Sequence, residues 1–154
     1  MPRPMRRDDR ALTTEQAAEI LQRGEYGVLS TVSSDGQPYG VPVSYAYDVN
    51  VLYFHCAVEG HKLDNLRDNP RVSFCVVGVT EVLPDKFATR YESAILFGTA
   101  NELTGDEKHA GLTRLLEKYS ADFMEKGEKY INSDMDKTRV FKVEIESMSG
   151  KARR

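Results

Sequence analysis

The sequence predicts a mainly β fold: an antiparallel barrel, closed or partly open, of six strands with three helices inserted between them. Three observations predict it. Asp35-Gly36 stands between two strand-like runs, the strongest short-range hairpin signal. The strand-like runs are short and follow one another as a meander, with helical faces isolated between them. No strand–helix–strand alternation runs through the chain, which argues against a Rossmann arrangement.

The elements follow in order. Residues 1–12 read as a loose, basic N-terminal arm carrying Arg3, Arg6, Arg7 and Arg10. Thr13 and Gln16 have capping-box spacing, and Ala17, Ile20 and Leu21 form one apolar helical face that stops at Gly24. Tyr26 to Val32 is apolar and β-branched, hence a strand. After the Asp-Gly turn a second strand runs from Tyr39 to Tyr47, with Val41, Val43 and Tyr45 on one face and Pro42 and Ser44 on the other. Asp48-Val49-Asn50 turns the chain into a third strand, Val51 to Ala57. Glu59-Gly60 breaks that strand. Leu63 and Leu66 then mark a short helix that ends before Pro70. Arg71 to Val77 is a strand, a looser stretch surrounds Pro84, and Ser93 to Leu103 is a long strand with a bulge or bend at Gly98. Thr104 and Glu107 repeat the capping-box spacing ahead of a helix whose face is Leu112, Leu115, Leu116 and Tyr119. Residues 122–136 give no clear assignment. Phe141, Val143 and Ile145 face one way in a last strand, Arg139 to Ser147.

The totals fit one soluble domain of 154 residues, 40% hydrophobic and 29% charged, with a net charge of -3. That charge offers no field for nucleic acid or an anionic membrane. No apolar run approaches the ~18 residues of a membrane helix, and the basic start has no hydrophobic segment behind it. Cytoplasm is the expected compartment. Cys56 and Cys75 lie in separate apolar runs and read as reduced core residues.

Chemistry concentrates between His55 and Lys62. A strand ends there, Gly60 turns the chain, and a helix starts at His61-Lys62. The first turn of a helix offers unpaired N–H groups and a partial positive charge, Lys62 adds a full one, and a phosphate fits. The same residues admit other readings. The pattern also suits a solvated lysine beside a turn. Zinc on His55, Cys56 and His61 lacks a second ligand pair, and adjacent strand residues point to opposite faces. Nucleophilic catalysis by Cys56 would have only His61 as a local base. His109 sits early in a polar helix and reads as exposed.

The ordered set Gly40-Val41-Pro42-Val43-Ser44-Tyr45, Tyr53-Phe54-His55-Cys56-Ala57, Glu59-Gly60-His61-Lys62, Asn69-Pro70, Tyr91-Glu92-Ser93, Phe97-Gly98 and Gly150-Lys151-Ala152-Arg153 resembles the pyridoxamine 5'-phosphate oxidase superfamily. Within it, the nitroimidazole-resistance-type reductase group is the most similar. The resemblance implies a six-stranded antiparallel split β-barrel binding FMN as a homodimer, with flavin at the interface. It implies that His61 and Lys62 grip the flavin phosphate and that the backbone of Pro42, Val43, Ser44 and Tyr45 faces the ring. It further implies that His55 and Cys56 touch the flavin, that Ser93 is supplied across the dimer, and that His55 handles substrate. NADH or NADPH is the implied donor and a small molecule such as a nitroaromatic the acceptor. A non-catalytic flavin or haem carrier or sensor is the alternative, with His55 or His61 as an axial ligand. Gly40 and Tyr45 stand where the true oxidases carry basic residues. Their C-terminal Arg-x-His signature is missing, and tryptophan is absent. Pyridoxamine phosphate is therefore not the expected substrate.

Overall fold

The computed structural model describes residues 3–154. The basic arm is tied down at its end: β1 (Ala11–Leu12) pairs with Lys151 and Gly150 near the C-terminus. Helix α1 (Thr14–Arg23) starts at the predicted capping box. The Gln16 N–H donates to Thr13 Oγ1 at 3.1 Å, and the Thr13 N–H donates to Gln16 Oε1 at 2.9 Å. Its face of Ala17, Ile20 and Leu21 is buried, as the 3.6-residue period requires.

β2 (Gly27–Val32) and β3 (Pro38–Val43) form the Asp-Gly hairpin, in register from Gly27↔Val43 to Val32↔Pro38. The single strand expected over residues 39–47 is broken at Ser44. Its second half is β4 (Tyr45–Asp48), which pairs with β5 (Val51–Cys56) instead of β2. After α2 (His61–Asp68) come β6 (Arg71–Leu83), β7 (Ala88–Leu103), α3 (Gly105–Tyr119), α4 (Met124–Asp134) and β8 (Arg139–Arg153). The hydrogen-bonded order is β3-β2-β6-β7-β8-β5-β4. The two edge strands of this sheet are therefore one bent segment of chain. The sheet curls on itself and is joined through Ser44 by covalent bonds rather than by a ladder, which makes it a split barrel. The described residues hold eight strands where six were expected. The break at Ser44 supplies one and β1 the other.

Three strands outrun their sequence signals. β6 and β7 continue past Val77 and Ser93 to a tip at Pro84–Lys86, pairing Thr80↔Tyr91 through Leu83↔Ala88. β8 continues past Ser147 to Arg153, paired with β7 throughout. Polar and small residues such as Thr80, Glu81, Ser149 and Gly150 signal loop locally, but a long antiparallel ladder satisfies their backbone groups. The predicted irregularity at Gly98 is a register shift between Phe97 and Gly98. Thr104 does precede α3, but its side chain caps nothing. Gly105 opens the helix at φ +57°, a left-handed conformation that glycine adopts without cost. Residues 122–136 turn out to hold α4 between two short 3-10 turns.

The core lies inside the curled sheet, closed by α1. Tyr45, Phe54, Phe74, Leu29, Leu52, Leu96 and Val143 are fully buried. Phe54 stacks on Phe141 at 5.3 Å, and Tyr45 meets Phe74 edge-on at 5.0 Å. Each such side chain stabilises the fold by about 1.5–3 kcal/mol. Cys56 is buried and free, while Cys75 is only half-buried on the outer face. No helix among the described residues is long and apolar enough to cross a membrane.

Candidate functional site

The site forms where the barrel is split. Pro42 and Val43 lie on the edge strand β3, beyond which no further strand pairs among the described residues, and Ser44 follows at the break. Proline suits such an edge because it has no N–H to leave unpaired. At Tyr45 helix α3 takes over that edge. The Tyr45 N–H donates to Tyr119 Oη at 3.0 Å. The Tyr45 carbonyl accepts from Lys118 Nζ at 2.9 Å and from the Tyr119 hydroxyl at 3.0 Å. The Tyr45 side chain itself points into the core, where its O–H donates to the Leu21 carbonyl at 2.5 Å. It is structural, and only its main chain reaches the split.

β5 delivers His55 to the same opening. His55 is exposed, while Cys56, its neighbour on the strand, is buried, as alternation along a strand requires. The chain beyond is pinned. The Thr138 hydroxyl donates to the Cys56 carbonyl at 3.0 Å, and Arg139 Nε donates to the Val58 carbonyl at 3.1 Å. Gly60, at φ +150°, then turns the chain into α2. The Asp64 N–H is the first to find a helical partner, the Gly60 carbonyl, at 3.2 Å. The N–H groups of His61, Lys62 and Leu63 thus come before the helical ladder starts. His61 packs on the Tyr39 ring, with centroids 4.0 Å apart. Helix α2 is held to β2 from beneath: Asn65 Nδ2 donates to Thr31 Oγ1 at 3.0 Å, both residues buried. This buried bond fixes where the first turn of α2 points.

Electrostatics separates the titratable groups. Although His55 keeps an accessible edge, the protein packed around its ring, and secondarily the Lys62 ammonium, holds the imidazole below its ordinary range, which favours the neutral form at pH 7. Burial pushes the Cys56 thiol up despite the opposing charges of Lys62 and Arg139, which leaves it protonated and a poor nucleophile. Lys118 stands out. Burial lowers it to about 8, with its Nζ 3.6 Å from the Tyr45 ring centre. No three His, Cys, Asp or Glu side chains cluster as metal ligands among the described residues.

Beside His55 opens a cavity of about 740 Å³ between the end of β5 and the helices α3 and α4. Leu112, Leu115, Leu116 and Ile131 give it apolar walls, and Ser44, His55 and Tyr119 meet at its β-sheet side. Part of the apolar face predicted for α3 therefore borders open space rather than solid core. His109 is not simply exposed, because its Nε2 lies 3.3 Å from Glu128 of α4.

The structure brings together Pro42, Val43, Ser44, His55 and Cys56 along the split, with His61 and Lys62 at the neighbouring helix start. Ser93 is elsewhere. It pairs with Val77 and Lys151, ten positions along β7 from Leu103, whose ladder leads through Val140 to His55. At about 3.3 Å per residue that is on the order of 30 Å within one chain. Sequence reasoning missed Lys118, the Asn65–Thr31 pair and the whole of α4. Tyr119 was visible as part of an apolar face, but its hydroxyl contacts were not.

Comparisons with known proteins agree with this architecture. A candidate 5-nitroimidazole antibiotic resistance protein of Bacteroides thetaiotaomicron has the same fold, with a TM-score of 0.76, 21% identity and coverage of 92% of this chain and 86% of that one. An FAD-binding protein of Mesorhizobium loti superposes with a TM-score of 0.68 at 25% identity, over 94% of this chain and 98% of its own. An FAD- and haem-binding protein of Mycobacterium smegmatis reaches a TM-score of 0.80 at 20% identity, over 92% and 72% respectively. The family model for pyridoxamine 5'-phosphate oxidase matches residues 13–152, nearly the whole chain, and this protein belongs to that family.

Proposed function

We propose that this chain is an FMN-binding flavoprotein that uses NADH or NADPH to reduce a small oxidised molecule. The observation that carries the reading is the start of α2. Three N–H groups stand ahead of the helical ladder, Lys62 lies in that first turn, and the His61 ring packs on Tyr39 of β3, the strand that runs on to the open edge at Pro42 and Val43. Backbone N–H groups at a helix start suit a terminal phosphate, and an open strand edge suits the polar rim of a flat ring. The residues present therefore fit a flavin mononucleotide. When bound, the flavin supplies hydride and electron transfer. The chain's own part is to hold the phosphate with His61 and Lys62 and to border the ring with Pro42–Tyr45 main chain, His55 and Cys56. With His55 neutral and the Cys56 thiol protonated, neither brings a charge to that border.

We also propose that the working form is a homodimer. Ser93 reaches such a site only from a second copy, given its separation from His55. The outer face around it is apolar: Val77, Val79, Val82, Ile95 and Phe97 are exposed, and Phe87 at the hairpin tip is 96% exposed.

The absorption spectrum of the purified protein tests the cofactor. Two broad visible bands, bleached by NADH or NADPH and restored by a nitroaromatic, are expected. A flavin that no donor reduces would leave a binding protein without this activity. The second reading is haem. A neutral, exposed His55 beside an apolar cavity of about 740 Å³ is the observation that favours it. An intense Soret band in place of the flavin bands would select it.

A further inference from the structure

We propose that the cavity beneath α4 receives the oxidised substrate, that it takes an uncharged, mainly apolar ring molecule, and that Ile131 and Leu112 limit its room. The proposal rests on the flavin reading above, because His55, Cys56 and Ala57 form both the border of the flavin ring and one wall of this cavity.

The volume, about 740 Å³, lies within the range of small-molecule sites, and the lining has their usual form of apolar walls with a few polar groups converging at one side. Leu112, Leu115 and Leu116 of α3 line one side and Ile131 of α4 forms the roof. The two charges on the rim cancel, since Lys137 Nζ lies 4.0 Å from Asp134. His55 is neutral and Ser44 brings a hydroxyl, while the Tyr119 hydroxyl is already taken up by the Tyr45 main chain. The lining as a whole carries no net charge to attract a phosphate or carboxylate on the ligand. An uncharged ring with one or two hydrogen-bonding oxygens finds both its apolar surface and its polar end matched.

Gly127 of α4 and Leu116 of α3 meet in the cavity lining. A Cβ on Gly127 would stand 2.2 Å from Leu116 Cδ1, so the bare glycine lets the Leu116 side chain lie against the backbone of α4. α4 is otherwise tied to α3 by Glu128, which meets His109 at 3.3 Å and the Thr113 hydroxyl at 3.4 Å. Any residue larger than glycine at 127 must displace the Leu116 side chain, itself part of the cavity wall, or shift α4.

The experiment uses the flavin-loaded protein with 1,4-naphthoquinone as probe and 1,4-naphthoquinone-2-sulfonate as its charged counterpart. Two readouts are taken: calorimetric binding of the quinone to oxidised protein, and steady-state KM and kcat with NADH or NADPH. The neutral quinone is expected to bind, with the sulfonate at least tenfold weaker. Ile131→Trp, which fills the cavity, is expected to raise the quinone Kd and KM tenfold or more with flavin content unchanged. Leu112→Phe narrows the cavity from the opposite wall and gives the same reading should Ile131→Trp not fold. Equal binding of both quinones, or a quinone Kd and KM unmoved by a folded cavity-filling variant, overturns the proposal. So does loss of flavin from that variant, because the cavity would then hold the flavin itself. A wild-type protein that takes up no flavin sinks the flavin reading instead, and quinone binding to the colourless protein then decides the cavity by itself.

Discussion

Asn65→Ala removes a buried side-chain bond that joins α2 to the barrel. Asn65 Nδ2 donates to Thr31 Oγ1 at 3.0 Å, and the two residues are only 3% and 4% exposed. The bond itself contributes about 1 kcal/mol net, and a Thr31 hydroxyl left unpaired in the core costs about 1–3 kcal/mol more. A destabilisation of about 2–4 kcal/mol follows, and a chain of this size should melt roughly 4–16 °C lower. Thr31→Val strands the Asn65 amide in the same way and should cost a similar amount. The double variant has no polar group left to strand, so it should cost less than the two singles added together, by about 1 kcal/mol or more. Urea and thermal unfolding of the four flavin-free proteins by circular dichroism measure the cycle. Single variants that cost less than about 0.5 kcal/mol would refute the reasoning, as would a double variant additive to within that amount. The consequence for function is separate and follows from the proposed phosphate site. With α2 no longer seated on β2, the Asn65→Ala protein should bind FMN more weakly even at temperatures where it is fully folded.

Lys62→Ala removes a charge-assisted phosphate contact worth about 1.5–3 kcal/mol, so the FMN dissociation constant should rise roughly 10- to 100-fold by fluorescence titration. An unchanged constant moves the phosphate away from α2. Lys118, lowered to about 8, is half-neutral at pH 8, where an ordinary lysine is neutral to only about 0.3%. Brief treatment with an amine-acylating reagent at pH 8 should therefore label Lys118 ahead of the exposed lysines by peptide mass spectrometry; labelling in proportion to exposure would contradict this. The same shift has a stability sign. Between about pH 8 and 10.5 the folded state binds fewer protons at this site than the unfolded chain, so wild type should gain stability over that window relative to Lys118→Met. For the proposed dimer, light scattering should give twice the 17.4 kDa chain mass, and Val77→Glu on the exposed sheet face should return the monomer with its barrel intact.

The sequence by itself determined whatever rests on neighbours along the chain. The capping box at Thr13 and Gln16, the Asp-Gly hairpin and the turn at Gly60 depend on a few adjacent residues, and each stands where its local chemistry puts it. The start of α2 at His61-Lys62 belongs with them, because a helix begins where a strand has ended and glycine lets the chain turn. Tertiary structure alone decided the rest. β6, β7 and β8 run on past polar residues because each finds a partner strand, and no local pattern encodes a partner. The strand expected over residues 39–47 breaks at Ser44 because its halves pair with different strands, β2 and β5, which a reading of alternation cannot foresee. The site shows the same division. Tyr119 meets Tyr45 across 74 positions and Asn65 meets Thr31 across 34. Those contacts, and the seating of α4 on Leu116 through the bare Gly127, exist only once the barrel has folded. Lys62 was legible as a cation at a helix start. The cavity beside His55 was not, because its walls come from segments that are distant in sequence and meet only in the folded chain.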